Sequence, residues 1–332
     1  MPAPRKTSER PFVRDLADGD NVDTVFLVAR KDVKTDKNGN AYLDLEVQDK
    51  TGVIPLKFWR VPAGVADTVR AQGFLRVKGR VKAFNNKPQI DASVCVAVPD
   101  ADARIEDYLP ASPEDPEALL ERLAKILATV KNPHLSRLAA AFLDDADFVA
   151  RFRRAPAAMK QHHACLGGLL DHTVSSLESG ALVAGHYPWV DRDLVLTGLF
   201  LHDIGKMAEL ACDRAIAYTD TGELLGHIEI GAEMTREKIR ALGNFPKNLE
   251  TLLIHIILSH HGSHEWGSPR LPVTAEALVV HTIENLDAKL NSFKTAVDTP
   301  SGPDEHWTAW NNTFDRKLFR GFPPENTANR ES

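Results

Sequence analysis

The run Leu199-Phe-Leu-His-Asp-Ile-Gly-Lys206 constrains this chain more than any other stretch. Apart from Thr197 and Gly198, the residues from Leu194 to Leu201 are large and apolar, which predicts a helix with no polar face, a helix that has to be buried. It ends in His202 and Asp203, and Gly205 stops it before Lys206. An imidazole and a carboxylate at the end of a buried helix are costly to desolvate unless a partner compensates them. A metal ion would do so. The other histidines point the same way: of 13, all but His134 and His306 lie between His162 and His281.

Composition sets the frame. At 332 residues the length predicts two domains, and 43% apolar with 26% charged residues is ordinary for a globular protein. No apolar run reaches the length of a membrane span. The first ten residues lack the apolar core of a secretory signal. Cys95, Cys165 and Cys212 are scattered and odd in number, which fits neither a zinc ribbon nor a disulfide framework. These features predict a reduced, cytoplasmic setting. The net charge of −6 argues against a wholly basic nucleic-acid binder but leaves room for a local basic face.

Along the chain, residues 1–14 read as disordered and 15–99 as all-β. Val22–Ala29, Ala41–Gln48, Val53–Trp59, Phe74–Lys82 and Gln89–Val98 read as five strands, with a short helix over Ala63–Gln72. Ala41–Gln48 alternates with period two most clearly. Five strands with a helix between the third and fourth suit an OB-fold barrel, and the order resembles OB domains of the tRNA-anticodon-binding type. Such barrels hold single strands by a basic groove and aromatic platforms. Candidates are Phe58, Trp59 and Phe84, with Lys57, Arg76, Lys78, Arg80 and Lys82; barrel packing for the aromatics and a solvated face for the cations are the plain alternatives. Residues 100–116 carry prolines and acids and read as a linker. From 117 to 298 nearly everything is helical, and 299–332 is a tail without an assignable role.

Within the helical part, His172 rides one helix and His202-Asp203 end another. His227 lies in Gly226-His-Ile-Glu-Ile-Gly231, His260-His261 close the apolar helix Leu249–Leu258, and Asp287 lies inside Thr274–Val297. Imidazole plus carboxylate is a mixed set suited to Mn, Fe, Co, Ni or Zn. Seven such groups are too many for one ion and suit two. His255 and His281, inside apolar helices, read as structural or supporting residues.

This order of residues resembles the HD-domain phosphohydrolase superfamily, with His202-Asp-Ile-Gly-Lys206 as its most specific part. More narrowly, it resembles the YhaM family of 3′→5′ exoribonucleases, which joins an OB domain to an HD domain. The likeness rests on His162-His163, Leu201–Lys206, Leu224–Ile228, Leu258–Gly262, Glu265–Pro269 and Asn285–Lys289. It implies a metal-dependent, usually Mn-activated, exonuclease that releases nucleoside 5′-monophosphates from single-stranded RNA, or DNA, at the 3′ end. It implies His172, His202, Asp203, His227, His260, His261 and Asp287 as metal ligands. Asp203 would bridge two ions and Lys206 would neutralise charge on the phosphoryl group. His163 would be a further ligand or phosphate contact, and Trp266 could stack a terminal base or simply pack. The likeness also hints at a homo-oligomer. Two other functions share these features: an HD hydrolase of small nucleotides, and a non-catalytic single-strand-binding protein.

Overall fold

The computed structural model describes residues 11–85, 87–159, 164–299 and 306–322. The chain forms two compact units. The first is a closed barrel of β1 (Asn21–Thr35), β2 (Ala41–Asp49), β3 (Gly52–Phe58), β4 (Phe74–Phe84) and β5 (Lys87–Val98), with the short helix α1 (Val65–Thr68) between β3 and β4. The strand order around the barrel is β1-β2-β3-β5-β4. All pairings are antiparallel except β3 with β5, where Leu56 meets Ile90. This closed five-stranded arrangement is the OB fold.

Alternation explains the barrel. Along β2, Leu43, Leu45 and Val47 point inward and are fully buried, as are Ile54 and Leu56 on β3. Each such side chain contributes about 1.5–3 kcal/mol of burial free energy. Phe58 follows the same inward register. It is 4% exposed and belongs to the barrel core, so the expectation that it stacks nucleobases is corrected: the pleat turns it inward and its neighbour Trp59 outward. Asp44 is buried on β2 between two cations, with Lys34 at 2.6 Å and Lys57 at 2.5 Å. Most of the stretch read as a linker packs within this unit: Tyr108 and Leu109 are buried with Leu27 and Phe74.

The second unit is helical. Helices α2 (Pro116–Leu127), α3 (Pro133–Leu143), α4 (Ala146–Phe152), α5 (Gly168–His186) and α6 (Arg192–Leu201) are followed by the single turn α7 (Lys206–Glu209). The two-residue strands β6 (Leu210–Ala211) and β7 (Ala217–Tyr218) form a small hairpin that groups with the first unit. Then come α8 (Asp220–Leu242), α9 (Lys247–Ser259) and α10 (Ala275–Asp298). Helix α6 starts at Asp191, whose side chain accepts from the Leu194 amide at 3.0 Å. All eight residues Leu194–Leu201 are buried, in one core with residues of α2–α5 and α8–α10. No helix among the described residues is long and apolar enough to cross a membrane.

Candidate active site

Helices α6 and α9 end in the same way. At the end of α6 the His202 ring places Nδ1 2.8 Å from the carbonyl oxygen of Leu199. At the end of α9 His260 places Nδ1 2.7 Å from that of Ile257. Carbonyls of a last helical turn lack intrahelical donors, so each ring satisfies one. The other three histidines are held likewise. His172 Nδ1 lies 2.7 Å from Asp287 Oδ2, His227 Nδ1 lies 2.9 Å from Glu209 Oε1, and His261 Nδ1 lies 2.6 Å from the Trp266 carbonyl oxygen. An oxygen acceptor at Nδ1 fixes the proton there and leaves the Nε2 lone pair free.

Four of the five Nε2 atoms converge on Asp203, and the fifth, that of His261, lies 3.3 Å from that of His227. His172, His202 and Asp203 form one group of donor atoms within 4.8 Å of one another, and His227, His260 and His261 form another. The carboxylate divides between them. Asp203 Oδ2 is 3.4 Å from His202 Nε2 and 3.8 Å from His172 Nε2. Asp203 Oδ1 is 3.4 Å from His260 Nε2 and 3.5 Å from His227 Nε2. Asp203 Oδ1 and His260 Nε2 are buried without a hydrogen-bond partner, and lone-pair-bearing Nε2 atoms face each other at 3.3 Å in the His172–His202 and His227–His261 pairs. Acceptors facing acceptors in a buried site are unfavourable unless a cation lies between them, so these residues fit a divalent metal.

Electrostatics agree. Burial opposes the Asp203 charge, yet Lys206 and His202 hold its carboxyl well below the usual range; Lys206 Nζ lies 2.7 Å from Asp203 Oδ2. Burial opposes the Lys206 charge too, and Asp203 reverses this and raises it. Burial lowers His172 and lowers His260 strongly, and burial with the His227 charge brings His261 to about 4. His202 is raised, because Asp203 outweighs burial. Neutral imidazoles are the form that binds metal.

Asp287 stands beside the first group: besides His172 it takes the Ser175 hydroxyl. His163 lies outside the described residues. Trp266 is on an exposed turn next to His261 and is itself 53% exposed. In the barrel, Trp59 is 44% exposed and stacks on Tyr42 with ring centroids 4.5 Å apart, and Phe84 is 64% exposed. The strand cations are tethered: Lys78 to Asp23 at 3.1 Å, Arg80 Nε to the Gly19 carbonyl at 3.1 Å, and Lys82 to Asp91.

Two acidic residues escape the sequence reading. Glu209 carries the hydrogen bond that sets His227. Glu284, one turn before Asp287, has its carboxyl pushed up to about 7 by burial and by the charge of Asp203. Two glycines are also dictated here. A Cβ on Gly205 would collide with the carbonyl of His227, and one on Gly262 with the His281 ring.

A buried pair of His-rich groups sharing one Asp, carried on helix ends, defines an HD-type centre, and the HD domain family matches residues 169–289. Relatives narrow this. The 3′-5′ exoribonuclease YhaM of Bacillus velezensis is 35% identical over 84% of this chain and 88% of its own. That of Bacillus subtilis is 34% identical over the same shares, and that of a Geobacillus species 34% identical over 84% and 86%. The chain belongs to the YhaM family of 3′-5′ exoribonucleases, metal-dependent hydrolases of the HD class. Among solved structures, the second OB-fold domain of replication protein A from Methanococcus maripaludis is similar to 26% of this chain and 91% of its own, at 21% identity and a TM-score of 0.22.

Proposed function

We propose that this protein shortens single-stranded RNA from the 3′ end and releases nucleoside 5′-monophosphates, using two divalent ions, with manganese as the working metal, in the cytoplasm. The convergence of four Nε2 lone pairs on the two oxygens of Asp203, with His261 beside His227 and His260, carries this reading. His172, His202 and one Asp203 oxygen, with Asp287 beside them, would hold one ion. His227, His260, His261 and the other oxygen would hold the second. Divalent ions held there supply Lewis acidity: they acidify water and neutralise charge on a phosphodiester.

The chain's own residues do the rest. Carboxylates and carbonyls behind Nδ1 orient the rings. Lys206, buried beside Asp203, supplies a fixed cation where negative charge builds on the phosphoryl oxygens. On the barrel, Trp59 with Tyr42, and Phe84, offer aromatic faces for unpaired bases, and Lys78, Arg80 and Lys82 would exchange their local partners for phosphates.

The test is product analysis with 5′-labelled single-stranded RNA and Mn²⁺. A ladder receding from the 3′ end, with 5′-monophosphates released and both chelator and Asp203→Asn silent, is expected. Intact RNA beside hydrolysed free nucleotides would replace this reading with a small-nucleotide hydrolase.

A further inference from the structure

Trp266 presents a large apolar surface to solvent beside the histidine groups. Its main-chain carbonyl fixes His261 at 2.6 Å, a bond any residue could make. The residue is 53% exposed. The turn that carries it is pinned at the main chain: the Ser263 hydroxyl accepts from the Glu265 amide at 3.2 Å, the Trp266 amide donates to the Ser263 carbonyl at 3.1 Å, and Gly267 closes the turn with a positive φ of 84°. The Lys289 ammonium lies over the indole, 5.5 Å from its centroid, and the His281 ring lies 6.2 Å away. A half-exposed indole with a cation over it offers a nucleotide an aromatic surface for the base and a positive charge for the phosphate.

We propose that Trp266 is the stacking platform for the 3′-terminal nucleobase. It accepts any base, because every base has a π-face, and it registers the strand against the site through its own main-chain bond to His261. This rests on the exoribonuclease reading above. The role is contact with substrate, so removing the indole should weaken capture of the strand end and leave the saturated rate nearly unchanged.

The experiment is a two-by-two comparison. Wild-type protein and Trp266→Ala are given RNA with a normal 3′-terminal nucleotide and RNA whose terminal nucleotide is abasic, with Mn²⁺. In the wild type the abasic end should lower kcat/KM for the first cleavage roughly tenfold, through KM. In Trp266→Ala the two RNAs should be cleaved alike, both near the wild-type value for the abasic end. Trp266→Phe should restore most of the discrimination, which a merely misfolded variant would not allow. An abasic penalty equal in wild type and Trp266→Ala overturns the platform while leaving the exoribonuclease reading intact. Normal RNA left uncut by the wild type overturns that reading, and the platform with it.

Discussion

A single oxygen, Glu209 Oε1, accepts both the main-chain amide and the Nδ1 proton of His227, each at 2.9 Å. The turn is possible because Gly226 takes a positive φ of 72° within α8 and aims the His227 amide back at the carboxylate. Replacing Glu209 with Gln removes the charge behind the ring. Metal affinity should fall roughly 10- to 100-fold. Titrating metal-stripped protein with Mn²⁺ checks this, and an unchanged affinity would show that Glu209 does not tune the site.

Asp203 faces both histidine groups, so its loss should disable both. Asp203→Asn should lower RNA cleavage by at least ~10³-fold, and metal content after gel filtration should drop. Single-strand binding, measured by anisotropy, should stay within about twofold if, as proposed above, the barrel carries it. Cleavage near the wild-type rate would remove Asp203 from the centre.

Gly205 tests backbone packing. A methyl group there meets the His227 carbonyl and the Gly231 amide, neither of which can swing aside. Gly205→Ala should cost about 1–3 kcal/mol by overpacking, seen as a lower Tm. It should also weaken metal binding, because α8 carries His227. A Tm equal to wild type would contradict the close approach.

The metal-free protein should lose stability on acidification from pH 6.5 toward 4. Folding lowers the pKa of His172, His260 and His261 below the ordinary 6.5, the last to about 4. Above pH 6.5 these imidazoles are neutral in both states. Below it the unfolded chain takes up protons that the folded chain refuses, so stability falls with pH. His202 and the Glu284 carboxyl, pushed up to about 7, are raised and oppose the fall, against the three lowered histidines. Thermal melts in chelator between pH 7 and 4.5 should show a falling Tm; a flat profile would be the contrary result.

Neighbours Phe58 and Trp59 should separate cleanly. Phe58→Ala empties barrel core and should cost about 3–5 kcal/mol. Trp59→Ala should leave the melt almost unchanged and weaken binding of single-stranded RNA roughly tenfold. Equal effects of both on stability would argue that Trp59 is packing.

Much of this was legible in the chain. Alternation at Leu43, Leu45 and Val47 gave away β2, and the apolar run before His202 gave away a buried helix end, because both signals are periodic and local. The five histidines and Asp203 were found as residue types that burial cannot tolerate alone, and the structure brings them together. Glu209 was not legible. Its partner lies 18 residues away across a hairpin of two-residue strands, too short to leave any period, and the bond depends on the backbone twist at Gly226. The inward turn of Phe58 was ambiguous for a related reason: at a strand end, one residue of register decides which of two adjacent aromatics faces the core.

The acceptors behind the five rings differ in kind. Leu199, Ile257 and Trp266 offer main-chain carbonyls, whereas Asp287 and Glu209 offer side chains. A carbonyl survives any substitution at its own position, so the aim of His202, His260 and His261 is inherited with the path of the helices. Only His172 and His227 can be detuned by a single exchange behind the ring. Sequence drift in this centre is therefore channelled: each histidine group has one adjustable member, and variants of Asp287 and Glu209 are where selection could retune metal preference without rebuilding the fold.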